Sequence, residues 1–463
     1  MDKDNAVTRR QFFAAASAGA AALAAPPRGR AGTGPGSASV PAILGGRPVR
    51  TAPFPRWPNF RDKDEQAVMP VLRSGVWSRA KTVEEAERRF ARLMGARYCL
   101  ATSNGTNAII TAVRALDIGA GDEVITTPYT FVASVHPILL ANALPVFVDV
   151  DAATWQIDPA KIEARINRNT VAILPVHIVG GICDMDRINA IAKKHGLKVI
   201  EDACEAHNGE WKNRKVGTLG DLGCFSFQTG KSLTCGEGGA ILGDDGKLMD
   251  RCYSFHNLGR PHGSVAAPGG EGHPLLATKC RMAEYQASIL MTQMEAFEDE
   301  CRRRSENAAY LTERISQIPG IIPRKDYPEV TRTAFYYYGF RYKKDRFDGL
   351  SRAKFIAALA AEGIPASSGL GVIEGKPMNK EGCIEDAFRS KTYQRIYSRE
   401  KLAAYREENE CPECDRLVEE TVGFHQRMLL GTRRDMDDIC DAIAKIHENR
   451  HKLISEGPAP ARN

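Results

Sequence analysis

The sequence predicts an α/β protein: a mostly parallel sheet covered by helices, followed by a smaller α+β domain. Two patterns carry this reading. From about residue 62 to residue 242, short apolar runs alternate with helix-period segments, as strands buried on both faces and their crossover helices require. Near Met282 the alternation gives way to one long helical stretch, followed by a strand-like run and two further helices. Composition agrees. Apolar residues are 43% and charged residues 26% of the 463, enough to bury a core and unlike a disordered or polytopic membrane chain. The 63 Lys and Arg exceed the 57 Asp and Glu by a net +6 with no basic run, which speaks against a nucleic-acid partner. Twelve cysteines are too sparse for a disulfide scaffold.

The N-terminus comes first in chain order. Thr8-Arg9-Arg10-Gln11-Phe12-Phe13 opens a charge-free, Ala-rich stretch to Ala25, with Ala22-Leu23-Ala24 as a small-residue cleavage pattern. This is shorter than the about 20 apolar residues a membrane span needs. It resembles a twin-arginine (Tat) export signal over residues 1–27, an address read by the Tat machinery that implies a periplasmic or extracytoplasmic protein. A disordered basic leader in a cytoplasmic protein is the competing reading. Residues 28–60, rich in Gly, Pro, Ser and Arg, read as a linker.

The large domain is expected over 61–300. Predicted helices lie at Val83–Met94, Asn107–Leu116, Val132–Asn142 and Asp184–His195. Predicted strands lie at Tyr98–Thr102, Glu123–Thr127, Pro145–Val150, Val171–Val176, Leu197–Ile200 running into Glu201-Asp202, Gly223–Phe227 and Gly239–Leu242. The small domain is expected over 301–455, with a strand at Ala334–Tyr342 and helices at Ser351–Glu362 and Met436–Glu448. Residues 456–463 read as a tail.

Active groups of open α/β sheets sit in loops at the carboxyl ends of strands, and three such loops stand out. Ser103-Asn104-Gly105-Thr106-Asn107 opens a helix whose free N–H groups suit a phosphate, although a simple helix cap explains it as well. Glu201-Asp202 ends an apolar strand, where a carboxylate is costly without a partner; an ordinary loop carboxylate is the alternative. Lys231 ends Phe225-Ser226-Phe227-Gln228-Thr229-Gly230-Lys231, either as a solvated lysine or as a Schiff-base nucleophile.

Taken together, SNGTNAI, TTPYTFVAS, PVFVDVD, VIEDACEAHNG and FSFQTGKSLTCGEGGAI resemble, in order and spacing, the DegT/DnrJ/StrS sugar aminotransferases over about residues 65–450. The resemblance implies the fold-type-I architecture of pyridoxal-5′-phosphate (PLP) enzymes. It places Lys231 as the Schiff-base lysine and Asp202 as the partner of the PLP ring nitrogen. Phe131 would stack on the ring, Gly105, Thr106, Asn107 and Ser226 would cradle the phosphate, and Glu205 would lie near the ring. The implied reaction moves an amino group from glutamate or glutamine to a keto-sugar or ketocyclitol in a homodimer with shared sites. A PLP-dependent sugar dehydratase and an exported non-catalytic glycan- or partner-binding protein are the competing functions.

Four positions depart from the family pattern. Gly230 stands where a Thr is usual, Glu205 where Gln or His is common, and Arg79 where many relatives have Gly. Lys279 replaces the Asn that reaches the neighbouring subunit's cofactor phosphate. Cys411-Pro-Glu-Cys414 lacks a second pair for zinc, and His136, His177, His207 and His425 have no metal-ligand spacing, so no metal is expected. In Tyr336-Tyr337-Tyr338, strand packing is the main reading, with one ring able to line the pocket.

Overall fold

Nine strands span residues 98–243 in the computed structural model, which describes residues 37–368 and 375–455. They are β1 (Tyr98–Thr102), β2 (Glu123–Thr126), β3 (Leu144–Phe147), β4 (Thr170–Ile173), β5 (Lys198–Asp202), β6 (Glu210–Trp211), β7 (Arg214–Lys215), β8 (Leu222–Ser226) and β9 (Gly239–Gly243). Seven form the central sheet in the order β1-β9-β8-β5-β4-β2-β3. From β8 across to β3 all neighbours run parallel, while β9 is antiparallel to both β1 and β8. The reversal has a local cause: β8 and β9 are joined without a crossover helix, by the loop 227–238 that carries Lys231. Every residue of β2, β3, β8 and β9 is buried, as a sheet covered on both faces demands.

Several element ends differ from expectation for local reasons. The strand expected over Val171–Val176 stops at Ile173, two residues before Pro175, which has no N–H for the ladder. The helix expected over Val132–Asn142 divides into a short turn, Val132–Ser134, and the helix His136–Leu140, which Pro137 restarts in its first turn.

The C-terminal part holds β10 (Ile321–Pro323), β11 (Val330–Arg332), β12 (Tyr337–Tyr342), β13 (Ser367–Ser368) and β14 (Thr421–His425). Four of these make an antiparallel sheet, β10-β12-β14-β13, while β11 joins β6 and β7. Phe340, Phe347, Phe355, Phe424 and Ile443 fill a separate core beneath the four-stranded sheet. The helix Glu284–Ile315, 32 residues long, serves both cores. Ala287, Leu290 and Phe297 belong to a large-domain cluster, and Ala308, Leu311 and Ile315 to the small-domain one.

Two stretches depart from the expected domain plan. The Gly- and Pro-rich stretch expected as a linker is packed over its described part. Arg50 is buried against Asp435 and Asp438, with the latter at 2.9 Å, and Phe54 joins the small-domain core. Within the expected small domain, Tyr393, Tyr405, Cys411, Cys414 and Leu417 instead pack into the large-domain core with Leu144 and Phe147. The apolar period of those helices is readable, but which core they fill depends on tertiary packing. The expected Tat signal and the tail lie outside the described residues. Among the described residues no helix is long and apolar enough to cross a membrane.

Candidate active site

Glu201 and Asp202 are neighbours on β5, so their side chains face opposite sides of the sheet and serve different purposes. Glu201 is fully buried, accepts N–H bonds from Gly217, Leu219 and Gly220 at 2.6–2.8 Å, and pairs with His177 at 3.0 Å. It fixes the loop ahead of β8. Asp202 faces the other way. Its Oδ2 accepts from the Ser134 hydroxyl at 2.6 Å and its Oδ1 from the Cys204 N–H at 3.2 Å. Ser134 is itself bonded to Thr130 at 2.7 Å, so one carboxylate edge is held by a hydroxyl pair.

Lys231 lies in the loop between β8 and β9, its side chain largely buried. Nζ sits 3.2 Å from Glu205 Oε1 and 4.0 Å from the centre of the Tyr336 ring. Burial works against the ammonium, but the charge of Glu205 outweighs it and raises the lysine above its ordinary range. Burial also raises the Glu205 carboxyl, against the opposing pull of Lys231. The loop backbone has its own support: the Trp57 indole N–H donates to the carbonyls of Thr229 and Lys231 at 3.0 and 3.1 Å. Gly230 sits close to its surroundings, since a Cβ there would stand 3.2 Å from Gln228 Oε1 and 3.5 Å from the Tyr336 hydroxyl.

Gly105 begins the helix Gly105–Ala115, capped by the Asn104 side chain on the Asn107 N–H at 2.8 Å. A Cβ on Gly105 would lie 2.7 Å from Ser226 Cβ and 2.9 Å from Cys204 Sγ, so the backbone packs where no larger residue fits. The Asn107 side chain donates to Ser103 Oγ at 2.8 Å and stiffens the turn. Within the helix the N–H groups of Gly105 and Thr106 have no acceptor. They begin a positive helix end beside the Ser226 hydroxyl, a cradle with the chemistry a phosphate requires. Phe131, three residues before Ser134, keeps 49% of its surface exposed, available as a ring face.

The structure therefore gathers Gly105, Cys204 and Ser226 at one point, Asp202 with Ser134, and Lys231 with Glu205. Lys279 stands apart: it is exposed and, among the described residues, pairs with no carboxylate. Arg79 forms a buried two-pronged bond to Glu87, at 2.7 and 2.9 Å, and is structural. His207 sits among Phe225, Phe227 and Phe297, where burial pushes it down to about 3 and keeps it neutral. Cys411 and Cys414 are both free and buried. Among the described residues no cluster of His, Cys, Asp or Glu could hold a metal. Sequence reasoning did not assign Ser134, Trp57 or Val179. Ser134 lies inside the TTPYTFVAS motif, which was the available signal; Trp57 offered none.

A buried strand-end carboxylate, a phosphate cradle at a helix start, an available ring face and a buried lysine are the parts of a PLP-dependent enzyme of this α/β fold. Residues 58–402 match the model of the DegT/DnrJ/EryC1/StrS aminotransferase family, and the chain belongs to that family. It is thus a PLP-dependent aminotransferase. Among its relatives is the L-glutamine:2-deoxy-scyllo-inosose aminotransferase of Streptoalloteichus tenebrarius, 35% identical over 436 residues, covering 89% of this chain and 98% of the relative. Among solved structures, the aminotransferase from Psychrobacter cryohalolentis is 31% identical with a TM-score of 0.74, covering 86% of this chain and all of that one. A 3-amino-5-hydroxybenzoic acid (AHBA) synthase is 28% identical with a TM-score of 0.72, over 88% of this chain and all of that one.

Proposed function

We propose that this enzyme carries PLP on Lys231 and transfers an amino group from glutamine, or glutamate, to the ketone of a cyclitol or sugar. The near full-length likeness to an aminotransferase named for glutamine and a deoxyinosose supports this reading most directly. Bound PLP supplies an electron sink for the pair released when a substrate Cα–H is broken. The chain's own residues supply the rest. Gly105, Thr106, Asn107 and Ser226 hold the phosphate, and Phe131 covers the ring face. Asp202, steadied by Ser134, holds a proton on the ring nitrogen. Lys231 would anchor the cofactor through Nζ, and its free amine would move the proton at the substrate carbon. The test is a single turnover with glutamine and PLP-loaded protein. The expected result is loss of the cofactor's carbonyl-adduct absorbance with release of the donor's 2-oxo acid, both absent in Lys231→Ala. Wild-type protein that converts a sugar without any amino donor overturns the transfer reading.

The proposal extends to assembly and place. The enzyme acts as a homodimer in which the exposed Lys279 serves the partner's phosphate site, and it leaves the cytoplasm folded through the twin-arginine route. Sedimentation tests the dimer. Fractionation of cells carrying Arg9→Lys/Arg10→Lys tests the route; an unchanged distribution refutes it.

A further inference from the structure

Lys231 is gripped from two parts of the fold. Glu205 comes from the loop after β5, and Tyr336 from the approach to β12. A run of backbone contacts ties the two together. Glu205 Oε2 accepts from the Val179 N–H at 2.8 Å. Val179 has φ 53°, a left-handed conformation that a β-branched residue adopts only where its surroundings impose it. The next residue, Gly180, accepts from the Ala334 N–H at 3.1 Å, and a Cβ on it would strike the Ala334 carbonyl oxygen at 1.7 Å. Ala334 lies two residues before Tyr336. The strained turn thus aims one carboxylate oxygen at the amine while it holds the tyrosine segment in place.

We infer that Glu205 and Tyr336 form a two-sided clamp that stores Lys231 as an ammonium ion, so that capture of the PLP aldehyde waits on the release of one proton. The inference rests on the reading that Lys231 carries PLP. An ammonium has no lone pair and cannot attack a carbonyl. Glu205 is the charged acceptor at hydrogen-bond distance, so the proton leaves Nζ by way of Oε1 to solvent, and a neutral amine remains beside the carboxylate. Nζ then bonds to the aldehyde carbon, and the aldehyde oxygen departs as water with the two remaining amine protons. Other titratable groups also face the pair. On the Glu205 side stand Asp202 and Cys204, whose thiol burial raises well above its ordinary value. On the Tyr336 side, Tyr337 and His425 pack edge-on around the ring, and burial pushes His425 down to about 4. His207, also near Lys231, stays neutral.

The experiment mixes full-length protein freed of cofactor with PLP from about pH 6 to about pH 11, spanning the ordinary lysine range. Borohydride quenches the reaction, and peptide mass spectrometry follows the reduced adduct on Lys231 with time. The pH of half-maximal capture should fall by roughly one to three units in Glu205→Gln. It should fall by about one unit in Tyr336→Leu, while Tyr336→Phe, which keeps the ring face, stays near wild type. A midpoint unmoved in either Glu205→Gln or Tyr336→Leu overturns the two-sided clamp. A wild type that forms no adduct on Lys231 at any pH overturns instead the assignment of Lys231. Should Glu205→Gln fail to fold, Glu205→Asp, which draws the charge back from the amine, takes its place with the same direction expected.

Discussion

Gly105 and Ser134 each turn one contact into a measurable role. In Gly105→Ala the new methyl must displace Ser226 or Cys204, neither of which is a flexible side-chain end. Overpacking of this kind costs about 1–3 kcal/mol. The expected result is a lower melting temperature and a smaller rise on adding PLP, read by calorimetry with and without cofactor. Ser134→Ala removes the hydroxyl at 2.6 Å from Asp202. A hydrogen bond to a charged group contributes about 1.5–3 kcal/mol, so turnover should fall at least about tenfold while circular dichroism stays unchanged. Asp202 ends β5 and Gly105 begins a helix, so each stands out against a legible apolar run, whereas Lys231 and Glu205 lie in the loops after β8 and β5 and stand out only through the motifs around them. Ser134 is 68 positions from Asp202 and Trp57 is 174 from Lys231. Nothing local marks either, because their partners are chosen by packing.

At the scale of elements, the loop between β8 and β9 depends on support from outside the sheet. The Trp57 indole braces its carbonyls, and the Arg304 guanidinium lies 5.2 Å over the indole ring. Arg304 is buried in the long helix and bonds Gln426 Oε1 at 2.9 Å. The N-terminal stretch, the long helix and the small domain therefore meet behind the lysine. Trp57→Phe keeps an aromatic ring but loses the one N–H shared between the two carbonyls, worth about 1 kcal/mol. Amide exchange in peptides covering 229–236 should accelerate severalfold, with exchange in β5 unaffected. The strands of the central sheet were legible because buried parallel strands show as continuous apolar runs. The packing of residues 38–60 was not, since Gly- and Pro-rich sequence has no period to read.

For the whole molecule, His207, His256 and His425 contribute to the response to acid. Burial holds His207 near 3, His256 near 4 and His425 near 4, against about 6.5 in the unfolded chain. Above pH 6.5 they are neutral in both states and cost nothing. As pH falls below that value the unfolded chain takes up protons that the folded one refuses, so stability drops down to about pH 4. The slope from the three is at most about 4 kcal/mol per pH unit. Urea midpoints at successive pH values should show this decline, and His207→Phe should flatten it by about a third. The long helix adds a mechanical consequence. Because one unbroken rod is embedded in both cores, the two domains cannot swing about a flexible joint within it. A tilt of about ten degrees around its embedded first half would carry the far end about 4 Å, at 1.5 Å rise per residue. Motion of the small domain would then travel as leverage to the Arg304–Trp57 contact at mid-rod, and from there to the lysine loop.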